Sequence, residues 1–284
     1  MTIFFIVMLY PLYYVVIASV SSITEVGLGN VIFFPKGLNF DAYVQVFNYD
    51  MIWLGYKNSL LYTAMGVVYN LTIMLPLAYA LSKKYLFARS AVTWYFLFTM
   101  YFGGGLIPAY LLRSQTLKLS NTIWVLVLGS VSVYNMVVTR TYFMTSIPEE
   151  IYESAEIDGS SQLRCFFKIA LPLSTPIIAV MALFFGVGMW NSYFNAMIYI
   201  QRREMFPLQL VLRSVLLLNE VIKPDSDLFL TLSEEQMREQ VAKQHLALSM
   251  KYSTIFIGSA PLLIAYPFVQ KYFVKGIMIG SLKG

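Results

Sequence analysis

Only one cysteine, Cys165, and one histidine, His245, occur in the chain. An intramolecular disulfide is therefore impossible, and no set of zinc or haem ligands at workable spacing can be drawn. Charged residues are scarce as well, at 12% of 284 residues against 58% hydrophobic. A soluble domain carries about 25% charged residues, so this chain lacks the polar side chains to cover a water-facing surface. The net charge of +5 is spread along the chain rather than clustered, which excludes the basic stripe that a nucleic-acid partner requires. No Gly-x-x-x-x-Gly-Lys-Ser/Thr loop is present to cradle ATP phosphates. No internal repeat or low-complexity tract is visible, and the Asn70-Leu71-Thr72 triplet has the form of a glycosylation acceptor only by chance.

The abundant residues organise themselves into long apolar stretches. Those at residues 2–22, 58–81, 91–112, 122–143, 175–200 and 252–269 each approach the ~20 residues needed to cross a hydrocarbon layer of about 30 Å. The expected fold is an all-α integral membrane protein of about six transmembrane helices, forming a single transmembrane domain over 1–284. The first stretch, with Ala18-Ser19-Val20 near its end, could pass for a signal peptide. It has no basic region before it, and its removal would upset the alternation of spans. It is read as a span.

The connection at 82–90 carries Lys83, Lys84 and Arg89, and the tail carries Lys271, Lys275 and Lys283. Alternating spans put both on one side, which the positive-inside rule makes cytoplasmic. The opposing signal is Arg113 and Lys118 on the other side. The long 201–250 connection, with a charged stretch from Glu234 to Lys243, is expected outside. The spans themselves hold almost no ionisable side chain, and Arg140 sits near a cytoplasmic end where it can snorkel. Ion-coupled transporters and membrane enzymes need buried acids, bases or metal ligands. Any uphill transport must draw its energy from another chain, and no catalytic or metal-binding residue is assigned.

Between the fourth and fifth spans, residues 146–172 break this apolar pattern. Ser146 and Glu149 have capping-box spacing around Pro148, and Ile147, Ile151 and Ala155 recur at helical spacing. Gly159 suits a left-handed helix end, and a second helix should run from about Ser160 to near Pro172. The first helix, of about 12 residues and roughly 18 Å, is too short and too acidic to span. It is either a knob for a partner's cleft or an amphipathic helix lying on the membrane surface.

The order Glu153-Ser154-Ala155, three residues, Gly159, nine residues, Ile169-Ala170-Leu171-Pro172 resembles the EAA loop of ABC importer permeases. Ser154 stands where that family usually has alanine. The resemblance extends over nearly the whole chain. Asn58-Ser59-Leu60, Ala78-Tyr79-Ala80-Leu81-Ser82, Trp190-Asn191, Pro207-Leu208-Gln209-Leu210 and the tail from Lys275-Gly276 to Lys283-Gly284 look like the carbohydrate branch. Overall similarity is strongest to the second permease of maltose-type importers, among those serving rhamnogalacturonan and alginate fragments. The resemblance implies a second permease chain, two ATPase subunits that bind ATP and Mg, and an extracytoplasmic sugar-binding protein, in a bacterial inner membrane. It implies that this chain binds no cofactor, and that Glu153, Ser154, Ala155, Asp158 and Gly159 couple it to the ATPase.

Sugars are read by aromatic faces and amides. Trp190, Asn191, Tyr193 and Asn195 are candidates for the sugar path, with Asn191 and Asn195 four apart on one helical face. Tyr69, Asn70 and Asn135 are weaker candidates, and interhelical hydrogen bonding is the alternative for each. Arg202, Arg203 and Arg213 could steer an acidic sugar or simply anchor a span end. The competing functions are an ABC permease for a non-sugar solute and a non-transport membrane scaffold; the scaffold leaves the EAA spacing without an explanation.

Overall fold

The computed structural model describes residues 2–129, 131–217, 250–264, 266–267 and 270. The stretch Glu234–Lys243, His245 and the lysines of the C-terminal tail lie outside them, as does most of the long connection expected outside the membrane. Among the described residues every regular element is helical; besides the short turns Ile23–Gly27 and Arg203–Met205 they are α1 (Thr2–Ser19), α2 (Asp41–Phe47), α3 (Asp50–Ser82), α4 (Arg89–Tyr101), α5 (Leu106–Thr116), α6 (Trp124–Val127), α7 (Val133–Thr145), α8 (Glu149–Ile157), α9 (Gln162–Leu173), α10 (Thr175–Trp190), α11 (Phe194–Tyr199), α12 (Leu208–Leu217) and α13 (Met250–Ile264). They form two compact units, one from Met1–Ser59 and Arg202–Ile264, the other built on Leu60–Gln201.

The apolar stretches become helices, but less regularly than their hydropathy suggests. Among the described residues, only α3 is by itself long and apolar enough to cross a membrane; the pairs α4–α5 and α9–α10 qualify if each bent pair is one span. The bend between α4 and α5 is 109°. It falls at Gly103-Gly104-Gly105, where Gly105 has φ +83, a conformation that only glycine adopts at little cost. The 80° bend between α9 and α10 lies between Pro172 and Pro176. Proline at 176 cannot donate to the carbonyl four residues back, and the Thr175 hydroxyl donates to Pro172 O instead, at 2.8 Å. The stretch at 122–143 divides into α6 and α7, and the one at 175–200 into α10 and α11.

In the first unit, the Asn58-Ser59 pair has a clear structural task. Asn58 Nδ2 donates to the carbonyls of Glu204 (2.7 Å) and Phe206 (3.1 Å), and Ser59 Oγ accepts from the Leu208 amide at 2.8 Å. One turn earlier, a Cβ on Gly55 would stand 3.0 Å from Leu208 Cα, so the small residue permits close approach of α3 to the start of α12. The motifs around 58 and 207 thus meet each other. Asn58→Leu should strand two backbone acceptors and destabilise the folded chain by about 2–4 kcal/mol, read as a lowered Tm in detergent; Asn58→Gln should recover part of it.

In the second unit the core gathers Met74, Leu75, Ala78, Tyr79 and Leu81 of α3 with Met136 and Phe143 of α7, Tyr152 of α8, Cys165, Phe166 and Ala170 of α9, and Met181 of α10. Outside this core, large apolar side chains remain exposed, among them Trp94, Tyr95 and Phe98 on α4. Exposed apolar surface of this extent suits lipid or a partner rather than water.

Candidate coupling site

The polar end of the second unit is built on the C-terminus of α3. The last carbonyls of a helix have no partner within it, and Leu81 O accepts from both Arg89 Nε (3.0 Å) and Arg140 Nε (2.9 Å). Arg140 was expected to snorkel to the membrane surface. Here its guanidinium caps a helix end, where cations are favoured at the negative end of a helix dipole.

The acidic helix α8 packs against this end. Ser146 does not begin it: that residue closes α7, with its amide bonded to Tyr142 O at 2.9 Å. The N-cap is Pro148, with ψ 137 and no side-chain cap, since the residue before a proline is pushed out of helical geometry and the helix starts only after it. The capping box is therefore not formed. Glu149 and Glu150 occupy the first turn instead, where the dipole favours acids. The buried side of α8 also differs in part from the expected one. Ile147, just before the helix, is buried at 4% exposure and Ala155 packs against the core, both as expected; Ile151 is instead exposed, and Tyr152 takes the buried position.

The C-terminus of α8 is a complete Schellman motif. The Gly159 amide donates to Glu156 O at 3.0 Å and the Ser160 amide to Ala155 O at 2.9 Å, with Gly159 at φ +75. This reverses the chain sharply and leaves Glu153, Ser154, Asp158 and Gly159 exposed. Ile157, at 86% exposure, is the most prominent apolar residue of the helix. Gln162 Nε2 then donates to Glu156 Oε1 at 2.7 Å, tying α9 to α8. Ser161 caps α9, which continues through a π turn at Phe166–Ala170.

Tyr79 is the hub that joins α8 to the apolar helices. Its ring lies 5.7 Å from Phe143, 6.1 Å from Tyr152 and 5.1 Å from Phe166, all within the range of favourable aromatic pairs. Burial pushes the Tyr152 phenol up to about 12, so it is neutral under physiological conditions. Lys84 Nζ bonds Glu149 Oε2 at 2.6 Å, and that hydrogen bond holds the Glu149 carboxyl below its ordinary range. The basic 82–90 connection and the acidic helix thus share one end of the unit. At another point of this unit the Asn121 amide donates to Tyr199 O, and Asn121 Oδ1 accepts from the Gln201 amide.

The sugar-path candidates are less concentrated. Asn70 Nδ2 donates to Gly66 O within α3 at 2.7 Å, and Asn135 stands in the first turn of α7. Gly66 faces Met189, which brings this part of α3 against the end of α10. Trp190 is buried, at 2% exposure, whereas Tyr193 is exposed. Asn191 and Asn195 do not share a helical face. The chain leaves helical geometry after Trp190, so Asn191 caps α10 and Asn195 belongs to α11. Tyr152, Tyr79, Lys83 and the double capping of Leu81 were not singled out as site residues. The three-residue step from Tyr152 to Ala155 was the available signal, once the helix is taken to start after Pro148.

A helical chain with a capped acidic helix fixed to apolar helices is the form of a membrane transport subunit. Residues 52–202 match the family described as binding-protein-dependent transport system inner membrane component, and the chain belongs to that family. It is 36% identical to protein LplC of Bacillus subtilis, over 96% of this chain and 89% of the relative. It is 33% identical to the polygalacturonan/rhamnogalacturonan transport system permease protein YtcP of Bacillus subtilis, over 96% and 92%. It is also similar to a chain in the crystal structure of a bacterial ABC transporter involved in the import of the acidic polysaccharide alginate, with TM-score 0.80 and 31% identity over 96% of this chain and 93% of that one. Its relatives are transport permeases.

Proposed function

We propose that this chain is one permease subunit of an ATP-driven importer of acidic oligosaccharides, fragments of polysaccharides such as alginate or pectin. The observation that carries the reading is near full-length likeness to two systems whose named cargoes are acidic polysaccharides. The chain forms half of the translocation path, in a bacterial inner membrane that it crosses about six times. A homologous permease forms the other half. Two ATPase subunits supply ATP and Mg chemistry, and an extracytoplasmic binding protein delivers the sugar.

In this reading α8 is the coupling helix. Its backbone reversal at Gly159, its exposed Ile157 and its acidic surface suit insertion into an ATPase cleft. Closure of the ATPases on ATP favours the outward-facing state because that state fits the closed ATPases better. Arg202 and Arg203, both exposed, stand where an acidic cargo would be steered.

Reconstituted with its partners, the complex should take up oligogalacturonate or oligoalginate only with ATP and the binding protein, and neutral maltooligosaccharides at least ~10-fold more slowly. Equal uptake of both would overturn the acidic-cargo reading. Ile157→Asp should abolish co-purification of the ATPase; retention would exclude α8 as the docking element.

A further inference from the structure

Lys83 follows directly on α3, and its ammonium group reaches across to α8. Its Nζ lies 3.0 Å from the Tyr152 ring centroid and 4.9 Å from that of Tyr79. Both rings are more than nine-tenths buried, and desolvation holds the Lys83 ammonium below its usual range. The neighbouring Lys84–Glu149 pair is a different kind of contact, with both side chains more than half exposed. An exposed ion pair is weakened by water and salt, whereas a cation over a desolvated aromatic face gains most of what such contacts offer. Of the two ties, the one made by Lys83 is the stronger.

Motion of α8 has two routes along the backbone. One runs back through α7; the other runs forward through α9, with its π turn, and across the 80° bend into α10. Neither route leads directly to α3, the one unbroken helix among the described residues that is long enough to span.

We propose that Lys83 is a positioning residue that clamps α8 to the cytoplasmic end of α3, so that displacement of α8 by the ATPase moves α3 directly. This rests on the reading of α8 as the coupling helix. The Tyr152 and Tyr79 rings supply the clamp's faces, and the cleft of about 280 Å³ beside it, lined by Lys83, Lys84, Glu149, Tyr152, Glu153 and Glu156 among others, leaves room for a partner side chain against the same groups.

The test uses the full complex in proteoliposomes and reads three quantities: ATPase co-purification, ATP hydrolysis, and sugar imported per ATP hydrolysed. Lys83→Met removes the cation but keeps much of the apolar stem, and Tyr152→Leu removes the ring. Each should leave the ATPase bound and reduce sugar per ATP roughly tenfold, equivalent to about 1.4 kcal/mol. Lys83→Arg and Tyr152→Phe preserve cation and ring and should stay within about twofold of the parent. The double variant should lose clearly less than the two single losses combined, because both remove the Lys83–Tyr152 contact. A merely structural role would lower the yield of all variants and leave the ratio per ATP unchanged.

A wild-type ratio in Lys83→Met, or losses that add in the double variant, would overturn the clamp. If Lys83→Met fails to assemble, the comparison of Tyr152→Leu with Tyr152→Phe decides alone, and equal ratios reject it. Failure of the parent chain to hold any ATPase would remove the coupling reading and the clamp together. An intact ATPase dependence, lost in Ile157→Asp but unaffected by Lys83→Met, would remove the clamp only.

Discussion

Gly159→Pro should abolish sugar uptake while leaving the chain inserted in the membrane. The backbone at 159 has φ +75, and the proline ring allows only about −65°. Proline would also delete the amide that bonds Glu156 O at 3.0 Å. The Schellman motif cannot form, α8 loses its defined end, and the reversal into α9 is redirected. Space is not the obstacle, since a Cβ at 159 meets nothing within 4 Å. Gly159→Ala therefore isolates the conformational penalty alone, ~1–2 kcal/mol for a left-handed alanine, and should keep a reduced but measurable uptake. Uptake in proteoliposomes at matched complex amounts should fall at least ~100-fold for proline and several-fold for alanine. A bulky side chain at Ala155, which packs on the core, should uncouple hydrolysis from transport in the same direction. Normal uptake by Gly159→Pro would reject the assignment of α8.

Tyr79→Ala should be the most destabilising single change in the second unit. Its ring touches three others, on α7, α8 and α9, and it is 6% exposed. Truncation of a large buried aromatic costs about 3–5 kcal/mol through lost burial and the cavity left behind. The expected result is a complex that loses its α8 contacts and aggregates on mild heating in detergent, followed by size-exclusion chromatography of heated samples. Tyr79→Phe should behave in the opposite way. The Tyr79 hydroxyl is buried with no hydrogen-bond partner among the described residues, so its removal should be neutral or slightly stabilising. If Tyr79→Ala matched the parent, the aromatic hub would not be what holds α8.

The acidic loop was legible because its signals are local: Gly159 at a helix end, acids in a first turn, and fixed spacing to Pro172. The buried face of α8 was legible only in part. Ile147 and Ala155 reach the core, but the helix is rotated so that the i, i+3 pair Tyr152–Ala155 faces it and Ile151 turns outward, a rotation that packing rather than spacing decides. The apolar stretches were legible as helices from composition, but hydropathy averages over a window and does not register three consecutive glycines or a proline pair. The break at the 103–105 glycines therefore went unseen, as did the one at the polar Asn191-Ser192 step, and with the latter went the shared face of Asn191 and Asn195.

The sequence alone determined the class of environment, through too few charges to face water. It also determined where the acidic helix ends, because the reversal at Gly159 depends on residues next to one another. Only the tertiary structure decided what that helix is fastened to. The meeting of Lys83 with Tyr152, of Arg140 with Leu81 O, and of Asn58 with Glu204 joins residues far apart in the chain. Such contacts are fixed by the burial of apolar faces and the satisfaction of helix ends, which depend on how the helices pack rather than on any local pattern.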